Sequence, residues 1–330
     1  MKKTLAAILS LAAITIAITG CTATSSKDVT LVAHDSFVIS KTLIAEFEKS
    51  SGYKLHIIRA GDVGALTNKL VLTKSDPIGD AVYGIDNTFA SVATDNKIID
   101  GDFVPVDFAD VCFNYDVKWF ASHGIKAPTS WRDVVKPQYR GLTVIENPNT
   151  SSTGLAFLAA TYGAFKDKPG QVVPGAAAWW LALRQNQVKV DDGWETAYYT
   201  DFSGSSGAGN YPIVLSYSSS PADEVAADGT SRTKALLDGC FRQTEYIGVL
   251  SGATNKPGAL ALQKFFLSKA FQAELPGAMY VYPIDKTVAL PASWQKFAPA
   301  AKTLLGQNLN VAKLRQKWLT YYNFTFNSAQ

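Results

Sequence analysis

Three apolar stretches near the start of the chain alternate with two stretches of helical spacing, and this alternation constrains the fold more than any other feature. Residues 28–33, 53–58 and 81–85 have the composition of strands. Between them, apolar residues recur every three or four positions, first from Ile39 to Phe47 and then from Leu66 to Leu72. A βαβαβ order is typical of a parallel, doubly wound sheet. The sequence therefore predicts an α/β fold.

Polar side chains follow each of these three strands. His34, Asp35 and Ser36 come after the first, Asp62 after the second and Asp86 at the end of the third. The carboxyl ends of parallel strands meet at one edge of a sheet, where open α/β folds bind ligands. We therefore expect a binding cleft at this edge. Two of these residues have simpler interpretations: Asp35 as a helix cap and His34 as an ordinary polar residue at a strand end.

A second set of candidate site residues lies further along the chain. Trp194 follows Gly193 directly, in a turn that can present the indole ring to a cleft, and a predicted strand at 213–216 ends in Ser216, Tyr217 and Ser220. An aromatic face beside hydroxyls and carboxylates suits a small, flat, positively charged organic molecule. This pattern predicts a binding protein.

Hydroxyl side chains open the predicted helix that begins near Leu155. Ser151 and Ser152 stand at its start, together with exposed backbone N–H groups. A helix N-terminus of this kind binds an anion or a hydroxyl group, and it is equally explained by capping alone.

Two stretches rich in strand-forming residues, at 104–112 and 241–250, are interpreted as crossings between two lobes. The predicted first lobe comprises residues 28–107 and 247–300, and the second comprises 108–246 and 301–330, with the last helix (311–322) the least certain assignment. Residues 203–209 are rich in Gly and Ser and are predicted to form a flexible loop. Hinge closure over a solute follows from this arrangement.

The N-terminus has the features of an export signal. Lys2 and Lys3 precede an apolar run at 5–18 that is too short to span a bilayer, and Cys21 follows Gly20. This pattern resembles the lipobox of bacterial lipoproteins, which implies a signal peptide at 1–20, a lipidated Cys21, a tether at 21–27 and a lipid anchor outside the cytoplasm. The alternative is an ordinary secretory signal with an incidental cysteine.

The two remaining cysteines, Cys112 and Cys240, lie in short apolar runs placed near the lobe junction. An oxidising compartment allows a disulfide between them, and two buried free thiols are the alternative.

Charge and histidine content exclude other classes of function. Without Lys2 and Lys3 the chain has 29 basic and 28 acidic residues, which leaves no basic stripe for a nucleic acid. The 3 histidines stand in no recognisable catalytic motif. We therefore expect no enzyme activity, no cofactor and no resident metal, and a monomer.

An ordered set of segments resembles the thiamine-binding subfamily of the extracytoplasmic solute-binding proteins of ABC importers. The set comprises 35–37, 84–87, 147–155, 193–198, 215–222, 282–283 and 290–291. The resemblance implies a two-lobed periplasmic-binding-protein fold of type II with mostly parallel sheets. It also implies ligand contacts at Asp62, Trp194, Tyr217 and Ser151, and partners in a membrane permease and, through it, a cytoplasmic ATPase.

The chain departs from the subfamily pattern at three positions of the expected pocket. His34 and Asp223 stand where the subfamily has Tyr, and Tyr280 stands where it has Trp. Thiamine is the expected ligand, and its phosphates, a linear polyamine and a ferric ion are the alternatives. The Tyr pairs 198–199 and 321–322, which iron binding would use, are interpreted as core.

Overall fold

The computed structural model describes residues 27–165 and 175–327. The expected signal peptide, the Cys21 lipidation site and all of the tether except Lys27 lie outside the described residues. Within those two ranges, no helix has the length and apolar character needed to cross a membrane.

The strands of the described chain are β1 Asp28–Ala33, β2 Lys54–Arg59, β3 Ala81–Asp86, β4 Ile99–Asp116, β5 Thr143–Glu146, β6 Lys189–Asp191, β7 Ile213–Tyr217, β8 Thr233–Ala235, β9 Phe241–Leu250 and β10 Tyr282–Pro283. They join in one mixed sheet with the order β2-β1-β3-β9-β4-β7-β5-β6, in which β8 and β10 also pair with β4.

Helices cover both faces of the sheet, as the α/β prediction requires. The α-helices are α1 Lys41–Ser51, α2 Val63–Leu72, α3 Ala90–Asp95, α4 Val117–His123, α5 Ser152–Phe165, α6 Gly175–Gln185, α7 Ser203–Ser206, α8 Lys256–Phe266, α9 Lys269–Met279, α10 Ala292–Phe297 and α11 Val311–Asn327. A π-helix spans Thr196–Asp201, and short 3-10 helices span Trp131–Val135, Pro137–Tyr139 and Ser220–Ala222.

Two sets of parallel strands flank an antiparallel centre. On one side β1 pairs in parallel with β2 and β3, and on the other β5 pairs in parallel with β6 and β7. Between them β4 and β9 run antiparallel, with Asp107 opposite Glu245. These two strands contain the predicted crossings at 104–112 and 241–250. The predicted lobe boundaries, after residues 107 and 246, fall within β4 and β9. Each crossing is therefore part of a continuous strand and not a loop.

Two large apolar cores pack against the sheet, and one of them extends across its centre. On the β1 side, the rings of Phe37 and Phe266 both pack against Tyr83. On the β5 side, α5 is buried along most of its length beneath α6 and α11. There Trp318 stacks on Tyr162 with ring centroids 5.2 Å apart. The last helix therefore packs against α5 and α6.

The expected loop at 203–209 is wrong in its first half, because Ser203–Ser206 forms helix α7. The Ser-Gly-Ser-Ser sequence has little helical preference of its own. Tertiary contacts hold it: the Ser203 hydroxyl donates to Asp116 Oδ2 at 2.8 Å, and the Ser203 N–H donates to the Tyr211 carbonyl.

A disulfide joins Cys112 of β4 to Cys240, the residue before β9. The sequence left a bridge and two free thiols as alternatives, and the structure contains the bridge. It links the two central strands that carry the predicted crossings.

Candidate functional site

Two adjoining cavities lie at the edge where the parallel strands end. The first, the aromatic chamber, has a volume of about 130 Å³ and is lined by His34, Ser36, Val38, Trp194, Glu195, Tyr199, Tyr217, Glu245, Ala278, Met279, Tyr280 and Val281. The second, the acidic chamber, has a volume of about 330 Å³ and is lined by Asp35, Ser36, Gly61, Asp62, Ala65, Thr150, Asp192, Gly193, Trp194, Glu195 and Thr196. Ser36, Trp194 and Glu195 border both cavities.

Trp194 forms the wall between the chambers and is fixed on several sides. Its indole N–H donates to Ser216 Oγ at 2.9 Å, and the ring stacks on Tyr198 with centroids 4.8 Å apart. Tyr217 and Tyr280 lie at 5.8 and 6.1 Å from the same ring. The site therefore presents an aromatic wall whose orientation is set before a ligand arrives.

The π-helix Thr196–Asp201 brings Tyr199 back to Trp194, five residues earlier. The two rings meet edge to face at 5.3 Å, and the Tyr199 hydroxyl donates to the Tyr280 hydroxyl at 2.8 Å. Tyr280 itself has a left-handed backbone (φ 58°) at the end of α9, and its carbonyl accepts from the Ser219 hydroxyl. That conformation is costly for a non-glycine residue, and it directs the Tyr280 ring into the aromatic chamber.

Asp62 links the two sides of the cleft. Its Oδ1 caps α2 by accepting from the Val63 N–H at 2.6 Å, and its Oδ2 accepts from the Trp194 N–H at 2.9 Å. A longer contact of 3.4 Å joins Oδ1 to the Ser152 N–H. Burial raises the pKa of Asp62, and these N–H donors oppose the rise. One carboxylate thus fastens α2 to the Trp194 turn and to the start of α5.

Asp35 is not a helix cap. Its Oδ1 accepts from the Gly61 N–H at 2.9 Å, and the carboxylate borders the acidic chamber. The cap of α1 is Ser40, whose hydroxyl accepts from the Leu43 N–H. Asp35 and Ser36 therefore lie where a ligand can reach them.

Asp86 lies behind the cavities and lines neither. It is fully buried and accepts from the Thr88 hydroxyl at 2.7 Å and from the N–H groups of Thr88 and Phe89. Burial raises its pKa to about 7. Its contacts order the turn after β3, so any effect on a ligand is indirect.

The predicted serines also stand behind the lining. Ser151 Oγ is 2.8 Å from Thr153 Oγ1, and Ser152 Oγ accepts from Gln243 Nε2 at 2.8 Å. Ser220 Oγ lies 2.9 Å from Ser216 Oγ, the atom that holds the Trp194 indole. These hydroxyls are already paired within the protein, which favours a supporting role for them.

Asp223 is exposed and lines neither chamber. It ends the short 3-10 helix Ser220–Ala222, and its carboxylate, with burial and Tyr199, is among the causes that raise the pKa of Tyr280. Asp223 therefore influences the Tyr280 hydroxyl by its charge and is not part of the cavity lining.

Three residues of the aromatic chamber that carry a hydroxyl or carboxyl group were not among the sequence candidates. Tyr199 was interpreted as core but is 41% exposed at the chamber. Glu195 follows the predicted site residue Trp194 directly, and this position next to Trp194 could have indicated it as a site residue. Glu245 lies inside the predicted crossing strand at 241–250, which also carries Arg242, Gln243 and Thr244, so the sequence does not single it out.

Comparisons with known proteins agree with this geometry. The family model for bacterial extracellular solute-binding proteins matches residues 65–301. The thiamine-binding periplasmic protein of Brucella melitensis is 28% identical, with 90% of this chain and 92% of that protein covered. The protein of the same name from Escherichia coli is 26% identical, with 88% and 91% covered.

Solved structures share the fold. A periplasmic thiamin binding protein superposes with a TM-score of 0.77 at 24% identity, covering 91% of this chain and 96% of that one. Iron-bound HitA from Pseudomonas aeruginosa gives 0.69 at 17% identity, covering 90% and 99%. The predicted α/β class, a two-lobed binding-protein fold of type II, is confirmed by these likenesses. Because the family model covers most of the chain and the fold agrees, this chain belongs to the bacterial extracellular solute-binding proteins.

Proposed function

We propose that this chain is the solute-binding lipoprotein of an ABC importer and that it captures thiamine in the cleft formed by the two chambers. The observation that carries the proposal is an aromatic wall bordered by carboxylates. Trp194, Tyr199, Tyr217 and Tyr280 surround one chamber, and no Lys or Arg of the described residues lines either cavity. Aromatic faces and carboxylates together favour a flat organic cation. The relatives named as thiamine-binding proteins support the same ligand.

In this mode the ligand rings pack against Trp194, Tyr217 and Tyr280, and the thiazolium charge faces Asp62 and the acidic chamber. A cation beside an aromatic face contributes roughly 0.5–2 kcal/mol, so several such contacts act together. Asp86, Ser151, Ser152 and Ser220 hold this lining in place, and Tyr199 orients Tyr280.

The acidic chamber favours thiamine over its phosphates. Four carboxylates border it: Asp35, Asp62, Asp192 and Glu195. A phosphate placed there would meet like charge without a basic partner, which is destabilising. We therefore infer that affinity falls from thiamine to its monophosphate and then to its diphosphate.

Capture proceeds by hinge closure about β4 and β9, between a lobe of residues 28–107 and 247–300 and a lobe of residues 108–246 and 301–330. The contacts of Asp62 with Trp194 and Ser152 join these lobes. Closure then creates the surface that the permease recognises, while Cys21 anchors the monomeric protein to the membrane by its lipid.

One observation favours a ferric ion as the second candidate, since the Tyr199 and Tyr280 hydroxyls lie 2.8 Å apart. Thermal unfolding of the purified protein tests both candidates with thiamine, its two phosphates, spermidine and ferric citrate. A ligand at 100 times its Kd raises the free energy of unfolding by about 2.7 kcal/mol. The proposal expects the largest rise in Tm with thiamine. A rise with ferric citrate or spermidine alone would contradict it.

A further inference from the structure

The floor of the aromatic chamber carries a buried polar atom that has no hydrogen-bond partner within the described chain. This atom is His34 Nε2, and Glu245 Oε1 lies 3.7 Å away, beyond hydrogen-bond distance. Both side chains line the chamber, and His34 and Glu245 are only 6% and 5% exposed. An unpaired buried polar group destabilises the protein, so a ligand that pairs with it gains affinity.

The protonation of the two groups gives them opposite hydrogen-bonding roles. Burial, followed by the charge of Arg59, lowers the pKa of His34 to about 4, so its imidazole is neutral at pH 7. Burial and the charge of Asp107 raise the pKa of Glu245 well above its ordinary value. Tyr83 donates to Asp107 Oδ2 at 2.5 Å and lies 3.1 Å from Glu245 Oε2.

Since Tyr83 contacts Glu245 at Oε2, we place the proton of the Glu245 carboxyl group on this inner oxygen, on the side of Asp107. Oε1 faces His34 and is left as an acceptor. With the imidazole proton on Nε2, the floor presents an N–H donor next to a carbonyl-like acceptor. This pair is complementary to a ring nitrogen that lies beside an exocyclic amino group.

We propose that His34 Nε2 and Glu245 Oε1 together determine specificity by recognising the amino-substituted edge of a heteroaromatic ring held among Trp194, Tyr217 and Tyr280. The inference rests on the proposed function, because the 4-aminopyrimidine of thiamine is such a ring. The ring nitrogen accepts from His34, and the amino group donates to Glu245. Replacing the amino group by an oxo group reverses both roles.

Calorimetric titration with thiamine and oxythiamine, which carries oxygen in place of that amino group, tests the pair. A matched hydrogen bond contributes a net ~1 kcal/mol, and oxythiamine loses both of them, so we expect the wild type to bind thiamine roughly 30-fold more tightly. In Glu245→Leu this preference should fall to about fivefold, because the acceptor is gone and only the His34 contact remains. His34→Phe should also reduce it.

Glu245→Gln provides the rescue. Its amide can donate inward to Asp107 and leave the carbonyl oxygen facing the chamber, so the preference for thiamine should persist. Tyr246→Phe is the matched control on the same strand: its ring packs against Phe103, away from the chamber, and its ratio should equal that of the wild type. The ratio of two affinities on one sample does not depend on the fraction of protein that is folded.

The outcomes separate this inference from the proposed function. Absence of thiamine binding by the wild type would contradict the proposed function itself. Thiamine binding with equal affinity for oxythiamine, or a preference that is undiminished in Glu245→Leu, would overturn the role of the pair and leave the proposed function standing.

Discussion

Replacing Asp62 by Ala should open the cleft with little effect on the fold. The substitution removes the cap of α2, which costs about 1 kcal/mol of stability. It also removes the 2.9 Å hydrogen bond from the Trp194 N–H, which spans the cleft. Hydrogen bonds to charged groups contribute about 1.5–3 kcal/mol. If the ligand binds only the closed form, this loss weakens affinity roughly 10- to 100-fold.

Two measurements separate these effects. Calorimetry gives the affinity for thiamine, and small-angle scattering of the unliganded protein should show a larger radius of gyration in Asp62→Ala. Ser40→Ala is the matched control, since Ser40 caps α1 in the same manner and lies in neither chamber. The reasoning fails if Asp62→Ala weakens binding no more than Ser40→Ala does.

Three further predictions follow from the described contacts. Asp86→Asn should raise Tm relative to the wild type more at pH 8 than at pH 5. The buried Asp86 carboxyl group, whose pKa is raised to about 7, stabilises the folded state below its unfolded pKa and loses that contribution as the pH rises through 7. An equal difference in Tm at both pH values would refute this. Trp194→Phe keeps the stacking on Tyr198 but loses the indole hydrogen bond to Ser216, so the affinity for thiamine, measured by calorimetry, should fall about 3- to 10-fold. An unchanged affinity would show that binding does not need a fixed orientation of this ring. Replacing Cys112 and Cys240 by Ala should lower the free energy of unfolding, measured in urea, by about 2–4 kcal/mol, because the bridge closes a long loop with a sequence separation of 128. Free thiols at these two cysteines, detected in the wild type before reduction, would contradict the bridge.

The sequence predicted the α/β order and most strands well, because the strand and helix periods there are local and strong. The positions of His34, Asp35, Ser36 and Asp62 at one sheet edge followed from the same rule. Trp194 was identified because Gly193 before it allows a tight turn. Each of these signals lies within a few residues of the position it concerns.

What the sequence did not show depends on distant contacts. Tyr199 was interpreted as core because a π-helix, which turns it back to Trp194, has no sequence signal of its own. Glu245 joins His34 and Tyr83 only once β9 pairs with its neighbours in the sheet. Asp86 was expected in the cleft because it ends a strand, but its own turn occupies its carboxylate.

Calorimetric titration of thiamine into the wild-type protein and into Trp194→Ala tests the central claim most directly. The account predicts saturable binding at one site per chain in the wild type. It also predicts a loss of at least about 100-fold in Trp194→Ala, because the wall between both chambers is removed together with its stacking and cation contacts. Absence of heat from thiamine in the wild type, or equal affinity in the two proteins, would contradict a thiamine site built on this wall.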